Sequence, residues 1–301
     1  MAEKQGLLSP KSDYIFKLLF GDMRNIDILT EFLKSVLKIP HDDYEKLTIV
    51  DPFLKREDVN DKMGILDVKL HTRSGRVLDV EIQVLEVPQM SERIIFYTSK
   101  MVTEQIRKSD NFDAIKPVIS IIIMDFNLIK DSAHYHNSYR LYDNNTQSLF
   151  TDLIQVDTLE LRKLPKKTDN TDLFDWLSFL KAEREEEYAV LASKSPVLNK
   201  AYGVLKELSQ DERIRMIEEA REKQRRDEAS RLRGAMQKGI EKGLKQGIEQ
   251  GIEQGEKNAK INIIQNALVM NMNIDYIAKL VKLSVDEVRQ IADEIPTRST
   301  P

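Results

Sequence analysis

The chain has 301 residues, enough for one large domain or two of about 150 each. Its 41% apolar content suits a soluble globular protein, 32% charged residues point to long solvated helices, and zero cysteines exclude disulfides and thiolate zinc sites and fit a reducing, cytoplasmic setting. With 50 acidic against 46 basic side chains, a net charge of −4, there is no uniformly positive surface for coating nucleic acid, although a local basic patch can act under a neutral total.

No apolar run is long enough to span a bilayer, and the opening MAEKQGLLSPKSDYIF lacks the apolar core of a signal peptide. The first 40 residues predict two helices. In SDYIFKLLFG either Ser12 or Asp13 can cap, and Gly21 ends the helix. NIDILTEFLKSVLKIP places Ile28, Leu29, Phe32, Leu33, Val36 and Leu37 at helical spacing and stops before Pro40. LTIVDPFL reads as a short strand, and residues 64–84, GILDVKLHTRSGRVLDVEIQV, as a hairpin about a Gly-containing turn. Residues 88–108 read as an amphipathic helix. KPVISIIIMDF is a continuous β-branched run after a proline, which suits a strand buried on both faces. SYRLYD and DLIQVDTLEL are further strand candidates. Helix, hairpin, helix and buried strand is an α/β order.

From about 172 the texture turns helical, with Trp176 expected in the core, and strand signals do not return. The expected divisions are 1–171, 172–233, 234–257 and 258–301. Residues 221–238 carry seven bases against three acids, a solvated helix face or a local basic patch. In GAMQKGIEKGLKQGIEQGIEQGE glycine recurs at 239, 243, 247, 251 and 255, with Ala235 in phase. Glycine inside a helix costs about 1 kcal/mol against alanine, tolerable where a smooth row lets another helix approach. That row drifts about 40° per step. It suits either a curving seam that makes a homo-oligomer or a flexible spacer grown by repeat slippage. The last segment, MNIDYIAKLVKLSVDEVRQI, has a helix–turn–helix rhythm at Ile277, Leu280, Val281, Leu283, Val288 and Ile291, and Ser284 with Glu287 makes a capping box. Few bases stand where a recognition helix needs them, so a helical hairpin for a partner is expected. His134 and His136 lack a further ligand at zinc-like spacing and read as ordinary strand or loop.

The hairpin carries the chemistry. A turn centred on Ser74 sets Leu70 against Leu78, Val68 against Val80, Lys69 against Asp79 and Asp67 against Glu81. Leu66, Val68, Leu70, Leu78, Val80, Ile82 and Val84 then share one face; Ile65, Asp67, Lys69, Val77, Asp79, Glu81, Gln83 and Leu85 share the other. Lys69 with Asp79 makes a cross-strand ion pair. Asp67 and Glu81 have no such partner. Opposed residues have Cβ atoms about 4.5–5.5 Å apart, so these carboxylates repel unless a cation lies between them. Hard oxygen donors suit Mg²⁺, Mn²⁺ or Ca²⁺, with Gln83 adding a carbonyl oxygen or positioning a water. The other reading is an exposed hairpin whose outer face is simply polar. Pattern alone leaves both open.

An acid, a short hairpin and Glu-x-Lys resemble the PD-(D/E)XK nucleases, and the Glu-x-Gln form resembles their recombination-promoting nuclease (Rpn) and transposase branch. SDYIFKLLFG, ILDVKL and GRVLDVEIQV, ERIIFYTSKM, PVISIIIMDF, DTLELRKLP and the glycine-periodic tail stand in that family's order. The resemblance implies a restriction-endonuclease-like α/β core followed by a long all-helical region. It implies that Asp67 and Glu81 bind metal, Mg²⁺ or Mn²⁺, and that Gln83 occupies the usual lysine position. Asp13 matches an acid that can join the site, unless it is an N-cap. Lys69 is a candidate for the missing charge, in competition with its pairing to Asp79. Arg93 and Tyr97, one turn apart, contact phosphate or form a packing edge. The implied function is a metal-dependent DNA endonuclease of low sequence specificity that promotes recombination or transposition. The alternative is a weakened nuclease fold kept as a DNA-binding or oligomerising module. Gln83 favours the second, since glutamine is neutral and serves as neither base nor cation; Asp67 and Glu81 favour the first.

Overall fold

The computed structural model describes residues 6–50, 67–107 and 109–294. The DPFL end of the first strand candidate, and Gly64, Ile65 and Leu66 of the hairpin, lie outside them.

Helix α1 (Asp13–Phe20) buries Ile15, Phe16, Leu19 and Phe20, and α2 (Ile26–Val36) buries Ile28, Leu29, Phe32, Leu33 and Val36. Neither candidate side chain caps α1. The Ser12 hydroxyl instead donates to Glu218 Oε2 at 2.6 Å, and Asp13, the first helical residue, pairs with Arg221 Nη1 at 3.0 Å. Both partners lie in a later helix that reaches this corner, and their charges outbid the local capping bonds. At Gly21 a Cβ would fall 2.7 Å from the Lys17 carbonyl oxygen, so glycine lets α1 end on the bond from its own amide to that carbonyl.

The sheet has six strands among the described residues: β1 (Thr48–Val50), β2 (Val68–His71), β3 (Val77–Gln83), β4 (Val118–Met124), β5 (His136–Tyr142) and β6 (Leu149–Glu160), in the order β1-β2-β3-β4-β6-β5. Strands β3, β4 and β6 are parallel neighbours, and β1, β2 and β5 run antiparallel to theirs. Helix α3 (Met90–Thr103) makes the crossover from β3 to β4, as a parallel pair requires. KPVISIIIMDF supplies β4, which is buried throughout.

Strand alternation divides the core. Ile119, Ile121 and Ile123 of β4 face the large cluster built by α1, α2, α4 (Asp172–Lys181), α5 (Glu185–Ala192) and α6 (Pro196–Gln210). Ile122 and Met124 face Met90 and Ile94 of α3. Trp176 lies in the first cluster, with its ring 6.0 Å from Phe20 and 6.1 Å from Phe179. Truncating such an aromatic to alanine costs about 3–5 kcal/mol.

The chain divides into two compact units, residues 1–221 and 222–301. Helix α7 (Glu212–Val269) is continuous through the glycine repeat. A Cβ at any of Gly239, Gly243, Gly247, Gly251 or Gly255 would meet nothing within 4 Å. The second unit has its own small core of Ile264 and Ala267 from α7, Ile277, Ala278 and Val281 from α8 (Ile274–Val281) and Val288 from α9 (Val285–Glu294). The Ser284 amide donates to Glu287 Oε2 at 2.7 Å and the Glu287 amide to Ser284 Oγ at 3.2 Å, the reciprocal capping box expected there. Leu280, which shares the apolar rhythm, is exposed. No helix among the described residues is long and apolar enough to cross a membrane.

Candidate active site

The hairpin takes the register expected of it, pairing Val68 with Val80, Lys69 with Asp79 and Leu70 with Leu78. Asp43 pins the turn. Its carboxylate accepts from the Ser74 amide at 2.9 Å, Arg76 Nε at 3.1 Å and Thr72 Oγ1 at 3.2 Å, while Gly75 takes φ +90°. A one-residue slip would carry every side chain to the opposite face, so this turn decides where the acids go. Val68, Leu70, Leu78, Val80 and Ile82 join the core beneath α1 and α2. Asp79 and Glu81 alternate with them and face α3. The hairpin is not an exposed one with a polar outer face: β3 lies between β2 and β4, α3 covers it, and Asp79 and Glu81 are only 1% and 8% exposed.

Asp67, just before β2, closes on the end of β3. Its Oδ2 accepts from the Ile82 amide at 2.9 Å, and its Oδ1 pairs with Lys17 Nζ of α1 at 3.1 Å. Burial raises its pKa, opposed by those two donors, and the charge of nearby Asp13 raises it further. Burial and then the Asp67 charge push Glu81 up to about 7, against the pull of Arg93 and hydrogen bonds from Gln83 and Asp79. Asp79, buried beside Glu81 and Asp67, is raised well above the ordinary carboxylate range. It lies against Glu81, and among the described residues its Oδ1 has no hydrogen-bond partner. Ser120, opposite Asp79 in register, shares its hydroxyl with Thr98 at 2.8 Å instead.

Lys69 stands opposite Asp79 but does not make the expected ion pair with it. Its ammonium pairs with Glu104 at 3.6 Å, because α3 lies across this face and ends there. Gln83 is half-buried; its side chain serves Glu81, and its carbonyl accepts from the Asp125 amide at 3.0 Å. The Arg93 guanidinium lies 5.1 Å from the Tyr97 ring centre, exposed at the rim, and its charge reaches Glu81. His134 is exposed in a loop, and His136 Nε2 bonds Asp157 Oδ1 at 2.8 Å within the sheet.

Asp67, Glu81, Gln83, Arg93 and, through its charge, Asp13 are therefore brought to one place, while Lys69 is drawn aside. Sequence reasoning missed two members. Lys17 is signalled only by its spacing of four from Asp13, and Asp79 looked satisfied by Lys69.

The family described as PD-(D/E)XK nuclease family transposase matches residues 10–235. The chain belongs to it. No curated protein and no solved structure matches the chain. The six-stranded mixed sheet with its helices is the α/β core of a PD-(D/E)XK nuclease family transposase, and the family ties the chain to phosphodiester chemistry on DNA. PD-(D/E)XK nucleases typically use divalent metals. The donor set here fits one: the carboxyl groups of Asp67, Asp79 and Glu81 are all raised by burial, the last two also by neighbouring carboxylates, and among the described residues a buried oxygen of Asp79 is unsatisfied. Among the described residues no three His, Asp or Glu side chains form a dedicated cage. Mg²⁺ needs none, since one or two carboxylates hold it with water and substrate phosphate.

A second feature of this transposase-family core is an open cleft of about 910 Å³ that includes Lys11, Asp125, Arg162, Lys166, Lys181 and Arg184. Asp125 follows β4 and Arg162 follows β6, so the cleft opens beyond the carboxyl ends of the parallel strands, where open α/β sheets bind ligands.

Proposed function

We propose that the protein is a divalent-metal-dependent DNA endonuclease of low sequence specificity that promotes recombination or transposition. The observation that carries this is Asp67 held against the end of β3 beside Glu81, whose proton affinity is pushed up to about 7. Asp67 and Glu81 would hold Mg²⁺ or Mn²⁺. When bound, the cation supplies an acidified water and neutralises charge on the scissile phosphate. Gln83 orients the Glu81 carboxylate by hydrogen bonding to it. Asp79 buttresses Glu81 from beneath, and Asp13 adds negative charge at the rim. Arg93 over Tyr97, with Arg162 and Lys166 in the cleft, offers contacts to phosphate. Phosphate contacts position DNA without reading its sequence, which supports low specificity. The family's link to transposition supports recombination as the process such breaks feed. A chain without cysteine supports a cytoplasmic setting. A homo-oligomer through α7 is supported by its exposed Ile240, Leu244, Ile248 and Ile252, each beside a glycine of the repeat.

The second reading, a weakened nuclease fold acting as a DNA-binding or oligomerising module, is favoured by Gln83, a neutral residue at the position of the family's lysine. One experiment separates them: supercoiled plasmid with Mg²⁺ or Mn²⁺, and wild type beside Asp67→Ala and Glu81→Ala. Nicking by wild type that both variants lose supports the endonuclease. Intact plasmid with all three, but a retained gel shift, gives the module. Nicking unchanged in both variants puts the site elsewhere.

A further inference from the structure

We infer that Lys17 of α1 is the working cation of this site, replacing from another element the lysine that Gln83 lacks. The inference rests on the endonuclease reading and names a residue that the hairpin motif does not contain.

Among the described residues four cations approach the carboxyl groups: Lys17, Lys69, Arg93 and, on Asp13 at 3.0 Å, Arg221. Lys69 is 13% exposed and engaged by Glu104 at 3.6 Å. Arg93 lies over the Tyr97 ring at the rim. Among the described residues Lys17 is the cation in contact with Asp67, with Nζ 3.1 Å from Oδ1, and its side chain keeps 34% exposure. An ammonium has three donors, so the Asp67 bond leaves two for a water or a phosphate oxygen. Its place is set by the backbone. Ile15, Phe16, Leu19 and Phe20 are wholly buried and fix the rotation of α1. Gly21 ends that helix beside Val68, the residue after Asp67: a Cβ there would stand 3.5 Å from Val68 Cγ2. A preorganised charge in a partly dry site stabilises developing negative charge far better than one that must move into place.

The role is electrostatic. Lys17 stays an ammonium and neither gives nor takes a proton. Water oxygen forms a bond to phosphorus, one phosphate ester bond breaks with its electron pair leaving on oxygen, the proton released by water passes to solvent, and the leaving oxygen takes up a proton from solvent. The products are one phosphomonoester end and one hydroxyl end.

Because Lys17 also pairs with a proposed metal carboxylate, it competes with a divalent cation for Asp67. Two effects of opposite sign follow. Lys17→Met should slow Mn²⁺-dependent plasmid nicking by about 10²-fold, the usual loss of one preorganised donor. The same variant should bind Mn²⁺ alone more tightly, read by titration calorimetry on the full chain. A merely structural lysine would not tighten the metal. Gln83→Lys, added to Lys17→Met, should recover nicking by returning an ammonium to the site from β3. Nicking at the wild-type rate in Lys17→Met overturns the inference, as does Mn²⁺ binding that is unchanged or weaker. If wild type itself does not nick, the endonuclease reading falls. Tighter Mn²⁺ binding in Lys17→Met would then still support Lys17 as the cation of the metal site, and unchanged binding would overturn it.

Discussion

The two units break the rule of apolar inside and polar outside in opposite senses. In the first, Asp79 and Glu81 are 1% and 8% exposed among aliphatic strands. In α7, Ile240, Leu244, Ile248 and Ile252 each expose more than half of their surface. Neither arrangement is what stability alone selects. Crowded acids cost free energy that a cation relieves, and an apolar row in water costs free energy that a second helix relieves. On the proposed reading a metal would answer the first arrangement and a second copy of α7 the other.

The sharpest way to break this comparison is to make the acids neutral. Glu81→Gln should cut cleavage by about 10³-fold or more, since a metal site supplies several kcal/mol and each decade of rate is about 1.4 kcal/mol. The same change should raise the melting temperature of the metal-free protein at alkaline pH, because a buried charge disappears. An acid kept only for packing would lose stability and spare activity. Differential scanning beside the nicking assay tells the two apart.

The pH dependence of stability follows from the same group. The folded state holds the Glu81 proton up to about 7, against an ordinary 4.5. A raised carboxyl favours the folded state fully below its unfolded value and loses that advantage as pH climbs through the folded one. The metal-free protein should therefore lose on the order of 3 kcal/mol of unfolding free energy between about pH 4.5 and about pH 8. Carboxylates with lowered pKa values, such as Glu187 at about 2, act below this window and do not offset it. Urea unfolding in chelator across that range measures the slope. Mn²⁺ should restore more stability at the alkaline end than at the acid end. A flat or rising metal-free profile would sink the account of the cluster.

The apolar row is tested by mass rather than by rate. Residues four apart form one of the ridges that pack into matching grooves, and two such rows cross at about −50°. The glycines beside Leu244 and Ile248 are the shallow groove, so a second copy of α7 can set its ridge there and offer its own groove in return. Leu244→Ser with Ile248→Ser should shift sedimentation toward the monomer and leave the melting of the first unit in place. An unchanged oligomeric state would leave the row without a partner of its own kind.

Much of the site was legible because strand alternation is unforgiving. Once Ser74 centres the turn, Asp67 and Glu81 must be neighbours, and the structure keeps that register. What alternation cannot supply is depth. Lys69 opposite Asp79 looked sufficient in two dimensions, but α3 closes over the face, Glu104 takes the lysine and Asp79 is left buried. Lys17 was hidden for a similar reason: its meeting with Asp67 joins residues fifty apart through the packing of α1 on the sheet. The buried strand at KPVISIIIMDF and the core place of Trp176 were read directly from composition and run length. The glycine repeat was not, since spacing of four fits a helix or a spacer equally until the flanking helices are seen to run through it.

The smallest expected effect lies in the cleft, and it separates charge that performs chemistry from charge that only holds DNA. Arg162 and Lys166 line the cleft beyond the strand ends. If they touch phosphates, each releases about one counterion on binding, so each alanine variant should lower the salt slope of log K by about 0.9 for duplex DNA. Such variants should weaken every sequence alike and leave the nicking rate at saturating DNA near wild type, because nothing they touch changes during bond cleavage. Glu81→Gln should do the reverse, sparing the salt slope and removing the rate. If Arg162→Ala leaves the slope unchanged, DNA does not follow the cleft, and phosphate contact falls to Arg93 and Tyr97 at the rim of the acids.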